Sequence, residues 1–125
     1  MQSDSLFSIF ETELKLVEKH LMDIFSSDAV IIPAIGGHII GGGGKRLRPL
    51  FLVLSAELAG YKDEDRAVLA GIIEAIHTAS LLHDDVVDGA ELRRGKKAAH
   101  TIWGNQIVIL VGDFLYSNAL RIAVL

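Results

Sequence analysis

The residues best able to do chemistry stand together in His83-Asp84-Asp85-Val86-Val87-Asp88. On a helix, Asp84 and Asp88 are i and i+4, so their carboxylates lie one above the other on a single face. Set among Leu81, Leu82, Val86 and Val87, two such carboxylates repel each other, and a divalent cation would relieve that repulsion. Hard oxygen ligands suit Mg2+, which takes one or two carboxylates and fills its other positions with water and substrate phosphate. The competing reading is a solvated acidic cluster at a helix C-terminus, the end where the helix dipole disfavours negative charge. His77 lies seven residues before Asp84, two turns along nearly the same face. A lone histidine on an apolar helix is more often a core residue, but its alignment with the aspartates makes it a candidate for the site. His83 and His100 gain no such support from spacing.

Positive charge is unevenly spread. Seven of the twelve Lys and Arg residues fall within residues 45–48 and 93–97, although the formal net charge of −4 argues against a general nucleic-acid binder. Lys45-Arg46-Leu47-Arg48-Pro49 follows four consecutive glycines at what reads as a helix start. Exposed backbone N–H groups, a positive dipole end and side-chain cations at one place make an anion site, and phosphate is its natural occupant. Lys45 and Arg48, at i and i+3, can converge, whereas Arg46 would point elsewhere. The glycine turn lacks the spacing of a nucleotide P-loop. The second cluster, Arg93-Arg94-Gly95-Lys96-Lys97, begins five residues after Asp88. It is either a solvated charge run or a second anion site holding pyrophosphate against the metal. With no cysteine in the chain, disulfides, thiolate metal sites and cysteine nucleophiles are excluded. One metal site beside two anion sites suggests two phosphorylated substrates and departure of a metal-bound pyrophosphate, with positioning supplying much of the catalysis.

The elements that must position these residues read as helices, and no segment shows a persuasive strand alternation. Half of the 125 residues are hydrophobic, which suits one globular domain. Phe7, Phe10, Leu14, Val17, Leu21 and Ile24 form one apolar helical stripe. Residues 29–40 read as an apolar, glycine-rich connection leading into Gly41–Gly44. Pro49 fits a first helical turn, and Leu50, Phe51, Leu54 and Leu58 make the next stripe, stopping near Gly60. Asp63–Asp65 reads as the start of a third helix, whose stripe of Leu69, Ile72, Ile73 and Ile76 continues to Asp84. Residues 89–101 read as a polar connection and Asn105 onward as a last, buried helix. The stretch Ile107–Leu125 is long enough to span a bilayer but carries Asp113 and Arg121, and residues 29–40 are too short. The polar N-terminus has no basic n-region and does not read as a signal peptide, so a cytoplasmic location is expected.

Gly43-Gly44-Lys45-Arg46-Leu47-Arg48-Pro49, the run from Glu74 through His77 to Asp88, Leu92-Arg93-Arg94-Gly95 and Trp103-Gly104-Asn105 together resemble the trans-isoprenyl diphosphate synthases. The resemblance runs in order from about Gly41 to Asn118, and Val111-Gly112-Asp113-Phe114-Leu115 is similar to the family's next helix. It implies an all-α helical bundle of the isoprenoid synthase type, of which residues 1–125 would be the N-terminal part of a single domain. It also implies a prenyltransferase, usually a homodimer, in which an allylic diphosphate ionises with Mg2+ assistance. Isopentenyl diphosphate then attacks the carbocation and a proton leaves. By position, Asp84, Asp85 and Asp88 would form the first aspartate-rich motif, with Asp84 and Asp88 the direct Mg2+ ligands. Arg93 would bind the allylic diphosphate, and Lys45, Arg48, His77 and Arg94 the diphosphate of isopentenyl diphosphate. Ala79 and Ser80, one turn before Asp84, stand where the family closes its cavity floor with bulky aromatics in short-product enzymes. Small residues there imply a long-chain product of the octaprenyl class destined for membrane lipids, unless Ala79 is merely a packing residue.

The family's second aspartate-rich motif is absent from these 125 residues, so this chain by itself is expected to show little or no turnover. A non-catalytic partner subunit of a complete synthase is the alternative, which the short length favours and the intact Asp84, Asp88, Arg93 and Arg94 oppose. A terpene cyclase shares the aspartate motif but has no need of a second diphosphate site at Lys45 and Arg48.

Overall fold

A computed structural model describes residues 7–41 and 45–125. Helix α1 spans Glu11–Ile24, α2 Ile31–Gly41, α3 Leu47–Leu58 and α4 Asp65–Asp88. A two-stranded ribbon follows, β1 at Leu92–Arg93 and β2 at Lys96–Lys97, then the short α5 at Ala99–Trp103 and α6 at Asn105–Ala123. The fold is all-α apart from that ribbon, as expected. Helix α4 is the central element, packed against α6, α1 and α3.

The stripe expected on α1 is the one that is buried: Val17, Leu21 and Ile24 are inside, with Phe10 packed at the edge. The Asn118 side-chain amide donates to the Ile24 carbonyl at 2.9 Å, satisfying one of the carbonyls left open at the end of α1. Helix α2 departs from the expected connection. Its glycines are costly in a helix, but Ile31, Ile35 and Ile39 recur every four residues and pack into the main core. Gly36 lies so close to Phe25 that a Cβ there would sit 2.5 Å from the ring. Tertiary packing, which needs a missing side chain at Gly36, therefore overrides local propensity. Gly42–Gly44 lie outside the described residues.

Helix α3 starts with Pro49 in its first turn and ends before Gly60, whose φ of 82° permits the left-handed stop. Its buried stripe differs from the expected one. Leu50 is inside, but the core position is Val53, while Phe51 and Leu58 face outward. A similar rotation occurs on α4, where Leu69 and Ile73 are exposed and the small residues Ala67, Ala70, Gly71 and Ala75 face the neighbouring helices. Small side chains let three helices approach one axis closely, which a reading based on large apolar residues does not detect. At its start the Asp63 carboxylate accepts from the Asp65 amide at 3.1 Å. At its end Gly89, at φ 66°, turns the chain so that the Ala90 amide reaches the Asp85 carbonyl.

Residues 92–97 form a hairpin rather than the expected loop. Leu92 pairs with Lys97 and Arg93 with Lys96 in antiparallel register. Arg94 and Gly95 both have positive φ, 52° and 78°, the pattern of a tight turn whose twist matches its flanking strands. Helix α6 buries one face only, through Val108, Val111, Leu115 and Ala119, and leaves Leu110, Tyr116 and Leu120 exposed. It is therefore half-buried rather than buried. Among the described residues it is the one helix long and apolar enough to cross a membrane by length and composition.

Candidate active site

The three aspartates end α4 but have different surroundings. Asp84 and Asp88 are exposed and make no hydrogen bond or ion pair among the described residues, whereas Asp85 is buried. The expectation that the pair Asp84 and Asp88 is embedded in apolar surroundings is thus corrected, because the i, i+4 face turns to solvent and water screens its repulsion. The carboxylate taken into the protein is that of Asp85. It is gripped bidentately by Arg93, with Nε donating at 2.7 Å and Nη2 at 2.6 Å. This fork geometry is the strongest arrangement open to an Arg–carboxylate pair. The bond to Asp85 is the main cause that raises the Arg93 guanidinium above its ordinary value.

Arg48, on the first turn of α3, donates from Nη1 to Nε2 of His77 on α4 at 3.2 Å. Arginine can only donate, so Nε2 is the accepting nitrogen and the imidazole proton resides on Nδ1. Burial, then the charges of Arg48, Arg94 and Arg93, hold His77 below the ordinary histidine value. Arg48 of α3 and Arg93 and Arg94 of the hairpin all act electrostatically on one histidine. Lys45 is exposed just ahead of α3. The structure thus gathers Arg48, His77, Arg93 and Arg94 into one positive region and leaves Asp84 and Asp88 on the exposed face of α4's last turns.

Arg46 points elsewhere, as expected, and its destination went unread in the sequence. Its Nε donates to Glu18 Oε1 at 2.5 Å, its Nη2 to Glu18 Oε2 at 3.4 Å, and its Nη1 to Glu74 Oε2 at 3.3 Å. Burial raises the Glu74 carboxyl above the usual carboxylate value, and Arg46, Arg48 and Arg94 pull it back. Glu18 and Glu74 are the site-supporting residues that the sequence reading passed over. The available signal was the spacing of Glu74, one turn before His77. Arg46, Glu74, Asp85, Arg93 and His38 border a cavity of about 40 Å3, large enough for a few waters.

The remaining candidates also separate. Ala79 is packed in the main core, while Ser80 is exposed on the face shared with Asp84 and donates to the Ile76 carbonyl at 3.1 Å. His83 donates to the Ile109 carbonyl of α6 at 3.0 Å and occupies a notch that a Cβ at Gly112 would close. His100 donates to the Ala90 carbonyl, so both serve the scaffold.

The all-α body, with acidic residues ending its central helix beside a set of arginines, agrees with the isoprenoid synthase fold that the sequence resemblance implies. Residues 30–124 match the family model for polyprenyl synthetase, and the chain belongs to that family. It is 40% identical over 121 residues to the octaprenyl diphosphate synthase of Escherichia coli, covering 97% of this chain and 38% of that protein. A polyprenyl synthase from Caulobacter crescentus, solved with calcium and isoprenyl diphosphate, superimposes with a TM-score of 0.93 at 50% identity, over 98% of this chain and 37% of that one. A decaprenyl diphosphate synthase from Rhodobacter capsulatus gives 0.94 at 37% identity, over 98% and 38%. The chain thus spans somewhat over a third of the length of these relatives.

Proposed function

We propose that this chain carries one half of the active site of a long-chain prenyltransferase that condenses isopentenyl diphosphate with an allylic diphosphate. The observation that carries the reading is the division of charge around α4: two exposed carboxylates one turn apart, with no hydrogen bond among the described residues, and three arginines that act on His77 of the same helix. Asp84 and Asp88 would hold Mg2+. Two hard oxygen donors with open positions suit that ion. Magnesium bound there supplies positive charge that stabilises a departing diphosphate.

Arg93 orients the allylic diphosphate and, through Asp85, keeps the hairpin docked on α4. Lys45, Arg48, His77 and Arg94 bind the diphosphate of isopentenyl diphosphate and hold its double bond in line for attack. His77 accepts from Arg48 while neutral, and an incoming anion raises its affinity for a proton, so it can become a further donor to the diphosphate. The relatives' names, octaprenyl and decaprenyl diphosphate synthase, support a long product, and calcium with isoprenyl diphosphate in the Caulobacter protein supports a divalent ion and a diphosphate in the family's site.

A cytoplasmic homodimer delivering its product to membrane lipids completes the reading. A second reading, a partner subunit, is favoured by 36% identity to a Bacillus subtilis protein named heptaprenyl diphosphate synthase component 2. Radiolabelled isopentenyl diphosphate, farnesyl or geranylgeranyl diphosphate and Mg2+ distinguish the two in a full-length enzyme bearing these residues. Incorporation that falls by orders of magnitude in Asp84→Asn, with helicity unchanged, is the expected result. No incorporation by the parent enzyme would eliminate the prenyltransferase reading.

A further inference from the structure

We propose that Arg46 is the positioning residue of the Lys45–Arg48 anion turn: without touching a substrate, it ties that turn to α1 and α4 and so holds Arg48 against His77. The inference rests on the reading of Lys45, Arg48 and His77 as a diphosphate site. Three observations carry it. First, the guanidinium is already occupied, since Nε and Nη2 address Glu18 and Nη1 addresses Glu74. Both Arg46 and Glu74 are largely buried, with side chains 13% and 8% exposed, so the fork is not free to swing out to a ligand.

Second, Arg46 has φ 54°, a left-handed conformation that a side chain adopts at a cost and keeps only where its surroundings over-determine it. The two carboxylates provide that constraint. From this conformation the Arg46 carbonyl accepts from the Leu50 amide at 3.1 Å, which opens α3. The bend at Arg46 therefore sets where the first turn of α3, and Arg48 with it, begins. Third, Glu74 and His77 are i and i+3 on α4, so they share one face. Fixing Arg46 to Glu74 places Arg48, two residues on, opposite His77, where the 3.2 Å contact forms.

A removed arginine would leave two carboxylates without a partner, one of them buried, so simple truncation risks unfolding. The decisive variant is the triple substitution E18Q/R46M/E74Q, which removes the clamp and both charges together, compared with R46K and the parent chain. Inorganic pyrophosphate is titrated into isotope-labelled protein, and the His77 imidazole is followed by NMR across pH. The groups facing His77 are Arg48 from α3 and Arg94 and Arg93 from the hairpin, and of these Arg48 lies on the turn that Arg46 opens.

The expected result is a folded triple variant with pyrophosphate binding weakened roughly tenfold, as for one displaced charge-assisted contact. Its His77 should titrate closer to the ordinary histidine value, and R46K should fall between. A folded triple variant with parental affinity and unmoved His77 titration overturns the proposal. Failure of both variants to fold also overturns it, since the clamp would then serve only the scaffold. If the parent does not bind pyrophosphate, the anion-site reading fails, while the His77 titration still decides whether Arg46 positions Arg48.

Discussion

Asp84, Asp85 and Asp88 have the same side chain, and position alone divides their work. The helical repeat sends the first and third to solvent and the second inward to Arg93. Spacing in the sequence made the i, i+4 pair legible. Spacing cannot show that Asp85 is already paired, because its partner comes from a hairpin whose two-residue strands carry no alternation signal. Ala79 and Ser80, treated alike in the sequence, are separated in the same way. Ser80→Phe adds bulk on the carboxylate face and is expected to shorten the product of a full-length enzyme by one or more prenyl units, as read by chromatography of the labelled products. Ala79→Tyr instead forces a ring into a filled core and should cost about 1–3 kcal/mol in a urea titration. A shortened product with unchanged stability in Ala79→Tyr would place the cavity floor on the other side of α4.

Among the elements, α1 was the most legible, because large apolar residues at helical spacing mark its buried face. Helices α3 and α4 were legible as helices but not in their facing, since alanine and glycine define the close contacts and carry little hydrophobic signal. Helix α2 was missed because its glycines read as linker, and only the Phe25 ring explains one of them. Gly36 and Gly37 separate these effects. In Gly36→Ala the methyl meets the Phe25 ring, and a loss of about 1–3 kcal/mol is expected. Gly37 has open space around it, so Gly37→Ala should stabilise by about 0.5–1 kcal/mol through helix propensity alone. Thermal melts of the two variants check the pair. Shifts of the same sign would mean that α2 is not packed as described. The hairpin was hidden for a different reason: its two-residue strands are too short for any alternation to register, and its turn is made by Arg94 and Gly95 rather than by the usual Asn-Gly.

On the scale of the molecule, the core lies along α4 while one side of α6 and the outer side of α3 expose large apolar residues, Leu110, Leu120, Phe51 and Leu58 among them. Surfaces of that kind favour association with further protein. Sedimentation of the chain should show a mass that rises with concentration, and Leu110→Glu should shift it towards the monomer with helicity unchanged. A concentration-independent monomer in the parent would remove the case for assembly through α6. Helix α6 is also joined to the chemistry at one point, where His83, the neighbour of Asp84, lodges in the Gly112 notch and holds the Ile109 carbonyl. A side chain at position 112 would therefore displace the imidazole that stands next to Asp84.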